Sequence, residues 1–201
     1  KEKADILRTS LQMSKLQVWE ASDTLSLASI ENLMKKGCNL NTESVRGQTP
    51  LIAMALCGAP TEMFTRAIQC GAEVEFCNKF GLTALMIACR RRDAAAVHAL
   101  MKGGASALTA DPVHKRCALH ICAFYGLETE AQIMYDYVKE GAGDSLKVVS
   151  FLNAKNKVGD TALIIAARRR NGLMCKFLLS LGADPGARNM QGNSLITLSM
   201  F

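Results

Sequence analysis

The chain has 201 residues, of which 49% are hydrophobic and 21% charged, and its formal net charge is +6 at pH 7. No apolar run approaches the ~18 to 20 residues needed to cross a bilayer, and no secretory leader is visible, which argues against membrane-spanning and secreted proteins. We therefore expect a soluble intracellular protein, cytoplasmic or nuclear, without membrane insertion. Because the chain starts at Lys1 without a methionine and stops at Phe201, we also expect it to be a piece of a longer protein.

A short phrase recurs along the chain at nearly even spacing. It reads GQTPL from position 47, GLTAL from 81, GDTAL from 159 and, in a weaker form, GNSLI from 192. A second mark, Gly-Ala, follows at 71, 104 and 182. A unit of this period buries its apolar face only by stacking on its neighbours. The sequence therefore predicts a solenoid with one long exposed surface.

Within a unit the pattern predicts a loop followed by two helices. Thr83 opens a run of small residues, since a threonine hydroxyl caps backbone N–H groups and alanines allow an inner helix to stack closely. Apolar residues at helical spacing over 93–101 predict an outer helix that ends at Gly103 and Gly104. Segments such as 73–80 are expected to lead to the next inner helix through an extended, turn-containing loop.

These residues resemble the ankyrin repeat, whose unit reads G-x-T-P-L-H-x-A and later V-x-x-L-L-x-x-G-A-D-V-N. The ranges 81–105 and 159–184 follow it almost position for position, and 47–74 follows it with one extra residue. The unit around 115–120 lacks the leading glycine and threonine but keeps the family's histidine, His120, for which the resemblance implies a hydrogen bond linking turn and helix. The resemblance implies an all-α ankyrin-repeat solenoid of stacked helix-turn-helix units joined by hairpin-like loops.

The repeat register predicts the domain organisation. Residues 1–15 are expected to be an N-terminal flank or capping helix, and residues 16–201 the repeat domain. The first unit, around Trp19, is degenerate and is expected to cap the array. The units are expected near 16–43, 44–77, 78–111, 112–155, 156–188 and, incomplete, 189–201.

The fourth unit contains an insertion. Leu85 and Leu119 are 34 positions apart, whereas Leu119 and Leu163 are 44 apart, which places the added residues at about 140–151. Residues 141–144 suggest a turn, and the apolar residues after them an extra turn of helix or a packed loop. Insertions in repeats often lie on the binding face, and the alternative is a tolerated surface excursion.

The eight cysteines do not indicate secretion. Cys57, Cys89, Cys122 and Cys175 fall on predicted helices at small-residue or apolar positions, which is typical of buried free thiols in a reducing compartment.

One histidine and cysteine cluster resembles a zinc site in composition. His114, Cys117, His120 and Cys122 lie within nine residues and all can ligate zinc. The spacing argues against a site, because a helix beginning near Cys117 points these side chains to different faces. We expect no metal and no cofactor. No nucleophile has a base partner at a motif spacing and no Gly-rich phosphate loop occurs, so we expect no enzymatic activity.

Basic residues cluster where ankyrin proteins differ from one another, at the hairpin tips and at the ends of the inner helices. The resemblance places these positions on one concave face. The inner helices of the third and fifth units each end in three arginines, and that of the fourth ends in an aromatic pair. Lys155 adds a further cation nearby. The predicted partner-binding residues are Arg46, Lys79, Phe80, Arg90, Arg91, Arg92, His114, Lys115, Arg116, Phe124, Tyr125, Lys157, Arg168, Arg169 and Arg170.

A single cation at a helix C-terminus needs no ligand, because the helix dipole favours it by about 0.3 to 1 kcal/mol. Three adjacent like charges repel one another, and their recurrence two units away indicates a ligand. For Phe124 and Tyr125 the alternative is that the rings pack between neighbouring repeats. If the arginines bind a ligand, reversing either cluster to glutamate is expected to weaken binding and leave folding intact.

The residue types leave the class of ligand open. Arginine forks suit carboxylates and phosphates, and aromatic rings can stack on a base or bury a peptide side chain. The resemblance favours a protein partner, so the leading hypothesis is an adaptor or scaffold module that binds an acidic or phosphorylated segment. One alternative is a nucleic acid or phosphorylated ligand on the same face, although the net charge is modest and no nucleic-acid motif occurs. Another is a structural or regulatory arm of a larger protein.

Overall fold

A computed structural model describes residue 32 and the ranges 35–36, 39–44, 47–142 and 145–198. Over the ranges 47–142 and 145–198 the chain contains ten α-helices and no strand. None of these helices is both long enough and apolar enough to span a bilayer. The expected N-terminal flank and Trp19 lie outside the described residues. The helices are α1 (Pro50–Cys57), α2 (Thr61–Gln69), α3 (Ala84–Arg91), α4 (Ala94–Lys102), α5 (Ala118–Tyr125), α6 (Glu128–Ala142), α7 (Ser145–Leu152), α8 (Ala162–Arg168), α9 (Gly172–Ser180) and α10 (Leu195–Leu198).

The helices form an inner and an outer layer. Inner helices α1, α3, α5, α8 and α10 stack in that order, and outer helices α2, α4 and α6 stack beside them. Small side chains allow the inner helices to approach closely, and Ala88 and Ala166 are both 0% exposed. The all-α solenoid predicted from the repeats is confirmed.

Three of the inner helices begin with the expected threonine cap. The hydroxyls of Thr49, Thr83 and Thr161 each accept the backbone N–H of the residue three positions on, at 3.3 to 3.4 Å. At the other end, the backbone turns through positive φ, which glycine adopts without strain. Gly126 fills this position after α5, but after α3 it is Arg92, with φ of 60°. A non-glycine residue there costs roughly 1–2 kcal/mol of backbone energy.

The hairpins are held by a side chain at their base. In each of four turns an Asn or Asp oxygen accepts backbone N–H groups from across the turn, which fixes the shape of the tip. Neighbouring hairpins also contact each other through the backbone, since the Met190 N–H donates to the Val158 carbonyl at 3.1 Å. The four residues at the turn bases are Asn78, Asp111, Asn156 and Asn189.

The insertion in the fourth unit is helical. Helix α6 has 15 residues, whereas the outer helices α2 and α4 have nine each. The predicted turn over 141–144 is wrong at its first two residues, because α6 continues through Ala142; residues 143 and 144 lie outside the described part. The longer α6 gives α7 a face to pack on, and α7 buries Phe151 and Leu152 in return.

Candidate partner-binding groove

The ends of the inner helices place pairs of side chains at equivalent positions of successive repeats. Each pair lies seven and eight positions after the residue that caps its helix. Because the helices stack on one another, the pairs form two parallel rows along the array. An aromatic pair of the fourth unit therefore lies between the arginine pairs of its neighbours. All eight side chains are exposed: Leu56 with Cys57, Arg90 with Arg91, Phe124 with Tyr125, and Arg168 with Arg169.

Two adjoining cavities lie between these side chains and the hairpin bases, and we call them together the central groove. The first, of about 290 Å³, is lined by Leu82, Arg90, Asp111, Arg116, His120, Ile121, Phe124, Tyr125 and Ile165. The second, of about 400 Å³, shares Arg116, Phe124 and Ile165 with it and adds Asn156, Asp160, Arg168 and Arg169.

Arg168 has a carboxylate partner within its own unit. Its Nη1 lies 2.7 Å from Oδ2 of Asp160, whose side chain is only 4% exposed. The other carboxylate oxygen of Asp160 accepts a hydrogen bond of 2.6 Å from the side-chain amide of Asn189. The charge of Arg168 is therefore compensated internally, and its presence does not by itself indicate a ligand.

Arg116 is compensated in a similar way. Its Nε lies 3.2 Å from Oδ2 of the buried Asp111, and its Nη2 lies 3.1 Å from Nδ1 of His114. Burial alone would raise the pKa of Asp111. Hydrogen bonds from the backbone N–H groups of His114 and Arg116, together with the Arg116 guanidinium, outweigh burial and hold the pKa of Asp111 below its usual value.

Arg169 folds back onto the aromatic pair of the preceding unit. Its guanidinium carbon lies 4.3 Å from the centroid of the Phe124 ring, and Phe124 meets Tyr125 edge to face at 5.0 Å. Of the two rings, that of Phe124 therefore contacts a neighbouring repeat, as the alternative interpretation expected. The two rings nevertheless remain 44% and 41% exposed, which leaves ring surface for a ligand.

The remaining arginines point to different surroundings. Arg90 lines the first cavity and makes no hydrogen bond or ion pair to any part of the chain that the structure describes. The guanidinium of Arg91 lies beside Gly58, at the C-terminal end of α1, where the helix dipole favours a cation. Arg92 and Arg170 occupy the positive-φ positions after α3 and α8 and are exposed. The six arginines therefore differ in their surroundings, and in the described part of the chain Arg90 lines the first cavity without pairing with a carboxylate.

The hairpin tips carry the other predicted residues. Lys79, Lys115 and Lys157 are exposed, and Lys155 donates to the Arg188 carbonyl at 3.0 Å. Arg46 lies outside the described residues. Phe80 is 70% exposed.

Three exposed apolar residues at the hairpin tips were missed by the sequence interpretation. Val113, Val158 and Met190 are 52%, 50% and 79% exposed. Aligning the tips of the units would have shown this, since each lies within two residues of its positive-φ position. Interpretation of the sequence also missed Leu82, Ile121 and Ile165, which line the groove.

The histidine and cysteine cluster belongs to the framework beneath the groove. His120 Nδ1 accepts the Cys117 backbone N–H at 3.1 Å and lies 3.0 Å from the Cys117 sulfur. His120 Nε2 lies 3.2 Å from the Asp160 carbonyl oxygen. The expected link between turn and helix is confirmed. Within the described ranges, no group of three or more His, Cys, Asp or Glu residues is arranged to hold a metal ion.

Hydrogen bonding shifts the pKa values of this buried pair. Burial would lower the pKa of His120, but its bonds to Cys117 and to two carbonyls outweigh burial and raise it. Burial would likewise raise the pKa of Cys117, but His120 outweighs it and lowers that pKa.

The other cysteines fit the expected pattern only in part. A hydrogen bond with Cys89, together with burial, raises the pKa of Cys122 well above its usual value, so Cys122 remains a thiol. Burial of Cys89 and Cys122 was predicted correctly. Cys175 is half-buried, and the prediction was wrong for Cys57, which is exposed. The reason is that Cys57 is the last residue of α1, at the position where the inner helices carry exposed side chains.

Two family models match the chain. "Ankyrin repeats (3 copies)" matches residues 54–141 and "Ankyrin repeat" matches residues 158–190, which together cover more than half of the sequence. Ankyrin repeats are generally protein–protein interaction modules, and proteins built from them are typically not enzymes. The repeat register, the stacked helix pairs and these matches together show that the chain belongs to the ankyrin-repeat family.

Proposed function

We propose that this chain is an adaptor module that binds an acidic or phosphorylated segment of a partner protein in the central groove. The observation that carries this proposal is Arg90. It is an exposed cation on the wall of a cavity, and no carboxylate in the described part of the chain pairs with it. Two half-exposed aromatic rings line the same cavity. Uncompensated charge beside aromatic surface is suited to a partner that supplies an anion and apolar contacts.

The charges of the groove support an anionic partner. Asp111 and Asp160 are buried, and they offset Arg116 and Arg168 respectively. Within the described ranges neither Arg90 nor Arg169 forms an ion pair with a carboxylate, and the Arg169 guanidinium lies over the Phe124 ring. The groove therefore keeps a net positive charge, which raises the association rate of an acidic partner and disfavours a basic one.

The charges and apolar residues that line the groove favour a protein over a nucleic acid. A phosphate backbone is best matched by cations at regular spacing, each of which releases a counterion. Here two arginines of the groove are already offset by buried carboxylates, and Leu82, Ile121 and Ile165 contribute apolar surface. Apolar side chains of a peptide can be buried there, whereas a phosphate chain gains nothing from them.

The test compares two double variants that change the net charge equally. Arg90→Glu with Arg169→Glu alters the groove, and Arg66→Glu with Lys176→Glu alters exposed cations on outer helix α2 and on α9, the second helix of the fifth unit. Wild type and both variants are immobilised to capture partners, and the affinity of each identified partner is then measured. We expect the groove variant to weaken binding at least tenfold while the outer-helix variant stays near wild type. Melting temperatures of both variants establish that they are folded.

Nuclease and salt separate the two kinds of partner. A protein partner survives nuclease treatment and loses affinity moderately as salt rises. A nucleic acid that contacts about six phosphates loses roughly a thousandfold between about 50 and 200 mM salt. The proposal is wrong if the folded groove variant binds every native partner as well as wild type does, or if nuclease abolishes all capture.

A further inference from the structure

We propose that the first cavity of the central groove receives one bulky apolar or aromatic side chain of the bound segment, flanked in that segment by two acidic residues that pair with Arg90 and Arg169. This inference rests on the proposed function and specifies the chemistry of the partner. The recognised element is a short extended peptide containing an acidic, an apolar and a second acidic residue in that order.

The size of the cavity suits a side chain. Its volume is about 290 Å³, just below the range of roughly 300 to 1,000 Å³ that pockets for drug-sized ligands occupy. The aromatic rings of Phe124 and Tyr125 line it together with the aliphatic side chains of Leu82, Ile121 and Ile165. Burying a large apolar side chain against such surface strengthens binding by about 10- to 100-fold.

Asp111 and His120, two polar residues that line the cavity, are already hydrogen-bonded, which disfavours a polar occupant. Asp111 accepts three backbone N–H groups and pairs with Arg116. His120 is held between Cys117 and the Asp160 carbonyl. A polar side chain that entered would lose its water without gaining these groups as partners. Arg90 differs, because it forms no such bond in the described ranges.

The positions of the two cations set the spacing of the acidic residues. Arg169 lies over the Phe124 ring of the fourth unit, and Arg90 belongs to the inner helix of the third. Neighbouring packed helices lie about 8 to 10 Å apart, and an extended chain advances about 3.3 Å per residue. Alternate side chains of an extended chain face the same side, so two carboxylates about four positions apart, with the apolar side chain midway between them, face both guanidinium groups and the cavity together. Four positions span about 13 Å, and the flexible side chains of arginine and glutamate take up the difference from the helix spacing.

Four fluorescein-labelled peptides in a glycine-serine background test this motif against the whole chain. The probe has two glutamates four positions apart with a phenylalanine midway between them. The second peptide has alanine for phenylalanine, the third has glutamine for both glutamates, and the fourth has the same composition with the glutamates adjacent and the phenylalanine five positions away. Fluorescence anisotropy measures each affinity. We expect each altered peptide to bind at least tenfold more weakly than the probe.

Two variants connect the peptide effects to the cavity. Ile165→Trp fills it from the half-buried residue that both cavities share. We expect this variant to reduce affinity for the probe to that of the alanine peptide, while affinity for the alanine peptide itself is unchanged. Leu82→Phe fills the cavity from another half-buried residue and replaces Ile165→Trp if the latter does not fold. Arg90→Gln should reduce the advantage of the probe over the glutamine peptide, and Arg66→Gln should not.

The outcomes distinguish this inference from the proposed function. Equal binding of the probe and the alanine or rearranged peptide overturns the motif, as does failure of the probe to bind wild type at about 1 mM, an affinity expected of even a weak motif. If native partners still require Arg90 and Arg169 in that case, the proposed function stands without the motif. If native partners ignore the Arg90→Glu and Arg169→Glu double variant, both are wrong.

Discussion

Replacing Arg168 by glutamine should destabilise the protein, although the residue is on the surface. The substitution removes the 2.7 Å contact to Asp160 and leaves that buried carboxylate with the amide of Asn189. A hydrogen bond to a charged group contributes about 1.5 to 3 kcal/mol. Arg168 is 52% exposed, and water screens such a pair, so we expect about 1–2 kcal/mol from Arg168→Gln.

Arg90→Gln is a matched control for this substitution. Arg90 occupies the same register in its unit, seven positions after a capping threonine, but Leu82 stands where Asp160 stands in the fifth unit. We expect its free energy of unfolding to stay within about 0.5 kcal/mol of wild type. Urea denaturation followed by circular dichroism measures both variants, and a decrease of 1–2 kcal/mol corresponds to a melting temperature about 2 to 8 °C lower.

A double-mutant cycle identifies the cause. If Arg168→Gln acts through the carboxylate, its effect should largely disappear in an Asp160→Asn background, where no buried charge is left unpaired. Equal stability of Arg168→Gln and Arg90→Gln, or an unchanged effect in the Asp160→Asn background, would refute the reasoning.

The sequence interpretation expected reversal of either arginine cluster to leave folding intact. The structure changes that expectation for Arg168, because a glutamate there would face the Asp160 carboxylate.

Three further substitutions test the framework and the groove. The lowered pKa of Asp111 contributes stability that is present above its unfolded pKa and is lost as pH falls through its folded pKa. The melting temperature of Asp111→Asn should therefore fall less than that of wild type between about pH 6 and pH 3. Ala88→Leu should overpack the inner helices and cost about 1 to 3 kcal/mol in urea denaturation, and wild-type stability would contradict the observed stacking. Leu82→Asp should give Arg90 an internal carboxylate and weaken capture of acidic partners at least tenfold without removing the arginine; unchanged capture would count against Arg90 as the anchor.

The helices and their order were predictable from the sequence because their signals are local. A threonine cap, a run of small residues and a terminal glycine lie within one unit, so Thr83 and Gly103 were enough to place α3 and α4. The turn expected at Gly141 failed because glycine is only a local signal. There, tertiary contacts between α6 and α7 outweighed the weak helix preference of glycine, which is about 1 kcal/mol below that of alanine.

The site was predictable as a surface but not as a set of contacts. Repeat register alone predicts that Arg90, Phe124 and Arg168 lie in one row along the array. It does not show that Arg169 would lie over Phe124, because that contact joins two units across 45 positions and depends on side-chain rotamers. The ion pair between Asp160 and Arg168 was easier to predict from the sequence, since both residues lie in one unit, eight positions apart.

One position in each unit determines which groove arginine is available to a partner. It directly follows the positive-φ residue of the hairpin tip and lies eight positions before the exposed residue of the inner helix. In the fifth unit this position is Asp160, and Arg168 is neutralised. In the third it is Leu82, and Arg90 keeps its charge beside the cavity. Two identical runs of three arginines thus acquire different roles through a residue outside the run, and the groove carries its available charge at the third unit and over the aromatic pair.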